Sequence, residues 1–87
     1  MNRSQAKEFL EFATSRGLFS SVIFFVSPVT ELVEKRHIYS GDEMEVIMWT
    51  NEQCQKYDNA NIPYVAYING KTENHNNAKA VMNALDK

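Results

Sequence analysis

Hydrophobic and polar positions along this chain change their period several times, and each change marks an element. Residues 4–16 set Ala6, Phe9, Leu10 and Ala13 at the i, i+3, i+4, i+7 spacing of one helical face. Ser4 suits the N-cap of that helix, and Gly17 follows Arg16 as a C′ glycine does. The next run, "SSVIFFV", drops the helical period. Val22 to Val26 are continuously β-branched or aromatic, the pattern of a central strand buried on both faces. Such a strand calls for helices above and below it, and so for α/β layering.

In "SPVTELVEKRHIYSGD", Ser27 reads as an N-cap, Pro28 as the first helical residue and Glu31 as a first-turn acid, with Leu32, Val33 and residues 36–38 on the buried side. This predicts a helix. A second reading makes residues 30–39 a strand that pairs with residues 43–50 across the Gly41 turn. "EMEVIMWT" alternates Met44, Val46 and Met48 with Glu45, Ile47 and Trp49, which predicts a half-covered strand near an edge. Thr50 or Asn51 then caps a short helix that turns Cys54 and Tyr57 inward, and "NAN" is a loop. "IPYVAYI" is a strand with Tyr64, Ala66 and Ile68 on one face and Val65 and Tyr67 on the other. Asn69-Gly70 signals a tight hairpin with a brief return strand. Ala78, Val81, Met82 and Leu85 give a closing helix, with Asn74 or Asn76 as its cap.

Composition narrows the function classes. A chain of 87 residues is one domain with a small core. Its net charge of −2 argues against a broad nucleic-acid face, with Lys35-Arg36-His37 the one local basic run and a solvated helix end its plainer reading. A single cysteine, Cys54, makes neither an internal disulfide nor a Cys-rich metal site, and suits a reducing compartment. The N-terminal residues lack the apolar core of a secretory leader, and the longest apolar run is too short to cross a bilayer. A cytoplasmic protein without membrane contact is expected.

Pro63 has no N–H for a sheet ladder, so it belongs at the first residue of its strand or on an edge, with Ile62 held extended. "NIPYVAYINGK" resembles the thioredoxin-like family, whose members lead into a strand with Ile-Pro or Val-Pro, usually cis, carry Asn-Gly in the hairpin that follows, and close with an amphipathic helix. "VIFFV" is similar to that family's central strand leading to its active-site helix. The resemblance covers most of the chain by element order and residues 62–71 by motif. It implies a thioredoxin-like three-layer α/β/α fold with a small mixed sheet. The alternative is an α+β domain with an antiparallel sheet. The family's oxidoreductases carry cysteine where the central strand meets its helix. Here "FFVSPVTELVEK" puts Ser27, Val29, Thr30, Leu32 or Val33 there, and disulfide exchange needs a thiolate. The resemblance therefore implies a redox-inactive member.

Ser27, Pro28 and Thr30 would form a polar lip beside Ile62, Pro63 and Tyr64 that takes a protein partner or an extended peptide by strand addition. The plainer reading makes Ser27 a cap, Thr30 a first-turn residue and Pro63 a geometric fixture. Cys54 is a nucleophile only if exposed and acidified, and otherwise an inert core thiol. His37 and His75 stand alone, with neither triad nor metal-ligand spacing, and Asp42, Glu43 and Glu45 read as a solvated acidic cluster. The three glycines are isolated, so no phosphate-cradling loop is present. Any pair of Trp49, Tyr57, Tyr64 and Tyr67 exposed on one face would mark a partner surface. These features point to a non-catalytic protein-binding or regulatory module with no cofactor, for which homodimer formation would extend a small core. Two alternatives stand beside it: a small phage-type inhibitor of a host factor, and a single-thiol redox enzyme using Cys54.

Overall fold

The computed structural model describes Glu11 and residues 15–85, and the helix expected over residues 4–16 lies mostly outside them. Glu11 and Ser15 are helical, and Gly17 takes the left-handed φ of 66° that suits a residue just past a helix end. Six elements follow: β1 Phe19–Val26, β2 Val33–Ser40, α1 Glu43–Asn59, β3 Tyr64–Ile68, β4 Lys71–Asn76 and α2 Ala78–Leu85. The strands form one sheet in the order β2-β1-β3-β4, antiparallel at every step.

β1 is the central strand, as its unalternating apolar run implies. Its Cα partners run from Phe19↔Ser40 to Val26↔Val33 on one side and from Ser21↔Ile68 to Phe25↔Tyr64 on the other. Alternate side chains serve two cores. Val22 and Phe24 join Val33, Val65, Val81 and Leu85 under α2, while Ile23 and Phe25 join Tyr64, Ala66, Cys54 and Tyr57 under α1. Among the described residues, one helix packs on each face of the sheet. Tyr57 stacks on Phe25 with ring centres 4.9 Å apart, and Phe24 meets Tyr67 edge-on at 5.9 Å.

Several sequence expectations are corrected here. Residues 27–39 are not a helix after β1. Ser27 Oγ does accept the backbone N–H groups of Val29 and Thr30, as an N-cap would, but the turn closes at once. Glu31 takes a φ of 62°, its N–H bonds the Ser27 carbonyl, and Ser27 N–H bonds the Leu32 carbonyl. The chain returns as β2 alongside β1, so the sheet is antiparallel throughout rather than mixed.

Residues 43–50 are not a strand, and no second helix starts at Thr50 or Asn51. One helix, α1, runs 17 residues from an Asp42 cap whose side chain accepts from Met44 N–H. Asp42 N–H donates to Ser40 Oγ, and the Ser40 hydroxyl donates to Glu45, so a hydroxyl relays the reciprocal bond of a capping box. The buried stripe is Val46, Thr50, Gln53, Cys54 and Tyr57. Thr50 is held by Ser21 Oγ and by the Val46 carbonyl, and Gln53 accepts from Arg36 on β2.

The Ile62-Pro63 bond, usually cis in the family that the motif resembles, is trans here. Its place follows from the end of α1. Asn61, at φ 54°, donates to the Asp58 carbonyl and Ile62 to the Tyr57 carbonyl, the paired bonds of a Schellman motif. Ile62 packs back against the Tyr57 core. Pro63 then stands one residue before β3, where its carbonyl accepts from Val26 N–H at 3.0 Å and its missing N–H removes only the reciprocal bond.

The Asn69-Gly70 turn and the two faces of β3 are as expected. Asn69 and Gly70 both take positive φ, 53° and 81°, the pair that a type I′ hairpin requires. Asn74 and Asn76 lie in β4 and do not cap α2, which starts after Asn77 at φ 52°.

Candidate binding surface at the β1–β2 turn

Antiparallel pairing of β1 with both neighbours brings the β1–β2 turn and the Ile62-Pro63 segment to the same end of the sheet. The Val26–Pro63 bond joins them directly. The sequence-derived lip residues divide by burial. Ser27 is buried, and its hydroxyl is used inside the turn. Tyr64 is fully buried, and its hydroxyl donates to Asp58 at 3.1 Å. Burial, then the neighbouring Cys54, then the bond to Asp58 push the Tyr64 phenol far above its usual range. Neither residue can meet a partner. Pro28 and Thr30 are exposed, and Ile62 and Pro63 are half-buried.

The turn also presents two aliphatic side chains. Val29 is 88% exposed at its tip and Leu32 is 57% exposed at its base. The loop leaves few polar groups for a partner to satisfy. Val29 and Thr30 N–H go to Ser27 Oγ, Glu31 N–H to the Ser27 carbonyl, and Leu32 N–H to Thr30 Oγ1. A preorganised tip with its donors internally bonded can enter an apolar pocket without leaving buried N–H groups unpaired. The sequence signal is two aliphatic side chains in a short polar stretch, but a helix at this place turns Leu32 inward.

A concavity lies elsewhere on the molecule. α1 and the β3–β4 hairpin enclose a cleft of about 460 Å³ lined by Glu43, Ile47, Thr50, Asn51, Lys71 and Glu73, among others. It exists only because residues 43–50 are helical, so a strand reading could not place it. The outer face of α1 also leaves Met44 and Met48 more than half exposed.

The remaining candidates separate cleanly. Cys54 is 2% exposed, and burial raises its thiol pKa, so neither access nor thiolate character supports a nucleophile. His37 lies on β2 against the Tyr39 ring, and burial together with Lys35 lowers its pKa. His75 is exposed on β4. Among the described residues, no cluster of His, Cys, Asp and Glu is placed to hold a metal ion, and no helix is long and apolar enough to cross a membrane. Of the four aromatics singled out, Tyr57 and Tyr64 are core and Trp49 and Tyr67 are half-buried, so they leave no exposed aromatic pair. Comparison with protein-family models, with curated proteins and with solved structures finds no match for this chain.

Proposed function

We propose that this chain is a non-catalytic protein-binding module that engages its partner through the β1–β2 turn and the adjoining Ile62-Pro63 segment. The observation that carries the reading is Val29, 88% exposed on a loop fixed by its own hydrogen bonds, beside exposed Pro28 and Leu32. A solvent-facing aliphatic on a rigid turn contributes nothing to this fold, and it is the type of side chain that anchors in a partner's pocket. The surface is convex, so the partner supplies the pocket, in contrast to a groove that takes an extended peptide.

A thioredoxin-like scaffold remains part of the proposal for the second half of the chain. The run α1, Ile62-Pro63, β3, Asn69-Gly70, β4, α2 keeps the order that suggested it. Against it stand the trans Ile62-Pro63 bond and the direct turn from β1 to β2 where an active-site helix would begin. A small phage-type inhibitor of a host factor is one form such a module takes. The buried Cys54 gives the single-thiol enzyme no support.

The experiment is an affinity pull-down from lysate comparing wild type, Val29→Asp and Met48→Asp. Both positions are exposed, so both variants fold. The reading expects one stoichiometric partner, lost with Val29→Asp and kept with Met48→Asp. A partner kept by Val29→Asp moves the site to another face.

A further inference from the structure

The β3–β4 hairpin closes at the end of the sheet away from the β1–β2 turn, because Ile68 pairs with Ser21 and Tyr64 with Phe25. The Thr50–Ser21 hydroxyl bond holds α1 at the same level, and helix and hairpin leave between them the cleft of about 460 Å³. That size falls in the range of small-molecule sites, about 300–1,000 Å³.

Some of the polar groups along the cleft are already committed. Thr50 is bonded to Ser21 and to the Val46 carbonyl. Asn69 Oδ1 accepts from Ser20 N–H at 3.0 Å, and Asn74 Oδ1 accepts from His75 N–H at 3.0 Å. The rest are not. Among the described residues, no hydrogen bond or ion pair holds the side chains of Glu43, Asn51, Lys71 or Glu73. Two carboxylates and one ammonium thus line one cleft without pairing with each other. Ile47 and Ile68, both half-buried, give the same cleft an apolar part.

This set of groups selects by charge. A simple anion meets Glu43 and Glu73, and a simple cation meets Lys71, so each is opposed by a like charge. A small ligand that carries both an ammonium and a carboxylate offsets all three side chains through charge-assisted bonds. An aliphatic substituent on that ligand covers Ile47 and Ile68 and removes their remaining apolar surface from water. We propose that the cleft between α1 and the β3–β4 hairpin binds a free aliphatic α-amino acid. Glu43 and Glu73 hold its ammonium, Lys71 its carboxylate, and Ile47 and Ile68 its side chain. The Asn51 amide supplies a further donor or acceptor beside the charged groups. The site shares no residue with the β1–β2 turn, so it stands whether or not that turn engages a protein partner.

The test is a titration of the purified, ¹⁵N-labelled chain with L-leucine to about 10 mM, a span that reaches weak small-ligand affinities. Amide chemical shifts are the readout. The expected result is saturable shifts, largest over residues 43–51 and 68–74. Leucinamide, which lacks the carboxylate, and N-acetyl-leucine, which lacks the ammonium, each bind about tenfold more weakly or worse. Lys71→Gln and Glu73→Gln, both at exposed positions that leave the fold intact, lose leucine affinity to a similar degree. Val29→Asp binds leucine as the wild type does, which separates this site from the partner surface. The proposal is overturned by the absence of saturable shifts with leucine or by shifts centred on another part of the chain. It is equally overturned by a blocked analogue that binds as tightly as leucine, by a folded Lys71→Gln or Glu73→Gln chain that keeps wild-type affinity, or by loss of binding in Val29→Asp.

Discussion

Tyr57 and Tyr64 stand side by side in the core under α1, ring centres 5.7 Å apart, and differ in one respect. The Tyr64 hydroxyl donates to Asp58, whereas the Tyr57 hydroxyl is the buried side-chain polar atom that, among the described residues, has no hydrogen-bond partner. Replacing each by phenylalanine removes one oxygen and keeps the ring. For Tyr57→Phe the change relieves an unpaired buried hydroxyl, a group whose desolvation costs about 1–3 kcal/mol. Against that stand the few dispersion contacts of a single oxygen, about 0.1–0.2 kcal/mol each. The stack on Phe25 is unaffected. The net expectation is a gain of about 1 kcal/mol, which for a domain this size raises Tm by about 4–8 °C. Tyr64→Phe instead deletes a made bond to a carboxylate and lowers stability by about 1–2 kcal/mol. Urea unfolding followed by circular dichroism reads both, provided the m-value is unchanged. The reasoning is refuted if Tyr57→Phe is destabilised by 1 kcal/mol or more, because that requires a hydrogen bond to the Tyr57 hydroxyl.

Other expectations follow from the same core and turns. Burial raises the pKa of Cys54, Tyr57 and Tyr64 in the folded chain, so above the unfolded values, near 9 for the thiol and 10 for the phenols, the unfolded state releases protons that the folded state keeps. Stability is thus fully present below about pH 8 and falls as pH rises through 9 to 11, and Cys54→Ala delays the onset; a profile that is flat to pH 11 contradicts this. Gly70→Ala puts a side chain at φ 81° with nothing within 4 Å of the new Cβ, so the cost is conformational alone, about 1–2 kcal/mol in thermal or urea unfolding. A thiol reagent should label Cys54 only at the rate of global or local opening, and labelling in native buffer as fast as in urea would place the thiol at the surface.

What the sequence disclosed and what it withheld divide along physical lines. The Val22–Val26 run, the Asn69-Gly70 turn and the faces of β3 each depend on local chemistry that one residue type signals, and they stand where expected. α1 was hidden because its buried stripe includes Thr50 and Gln53. Their polar groups are satisfied by Ser21 and Arg36, partners distant in sequence, while apolar Met44 and Met48 face outward and imitate a strand's alternation. The legible clue was the acid-rich "DEME", where Asp42 caps and Glu45 lies in the first turn. The helical reading of residues 27–39 fails because Ser27 caps backbone N–H groups in this turn much as it would cap a helix. The second reading has a strand there but the wrong partner, since β2 pairs with β1 and residues 43–50 are helical. The left-handed φ at Glu31, which ends the turn, carries no glycine to announce it. Pro63 stands one residue before its strand, and its place follows from the Schellman end of α1 with a trans Ile62-Pro63 bond. At the candidate surface, Pro28 and Thr30 are exposed and Ile62 and Pro63 half-buried, whereas Ser27 and Tyr64 are core, and the exposure of Leu32 follows from a turn standing where the helix is expected.

The central claim is that the β1–β2 turn enters a pocket on another protein. Its most direct test places a photo-crosslinking amino acid at position 29, and in a parallel sample at position 48 on the outer face of α1, followed by irradiation in lysate and mass spectrometry of the adducts. The account expects one dominant protein adduct at position 29 that is absent at position 48 and is suppressed by excess unlabelled wild type. Equal adduct patterns at the two positions, or no competition by the wild-type chain, would contradict it.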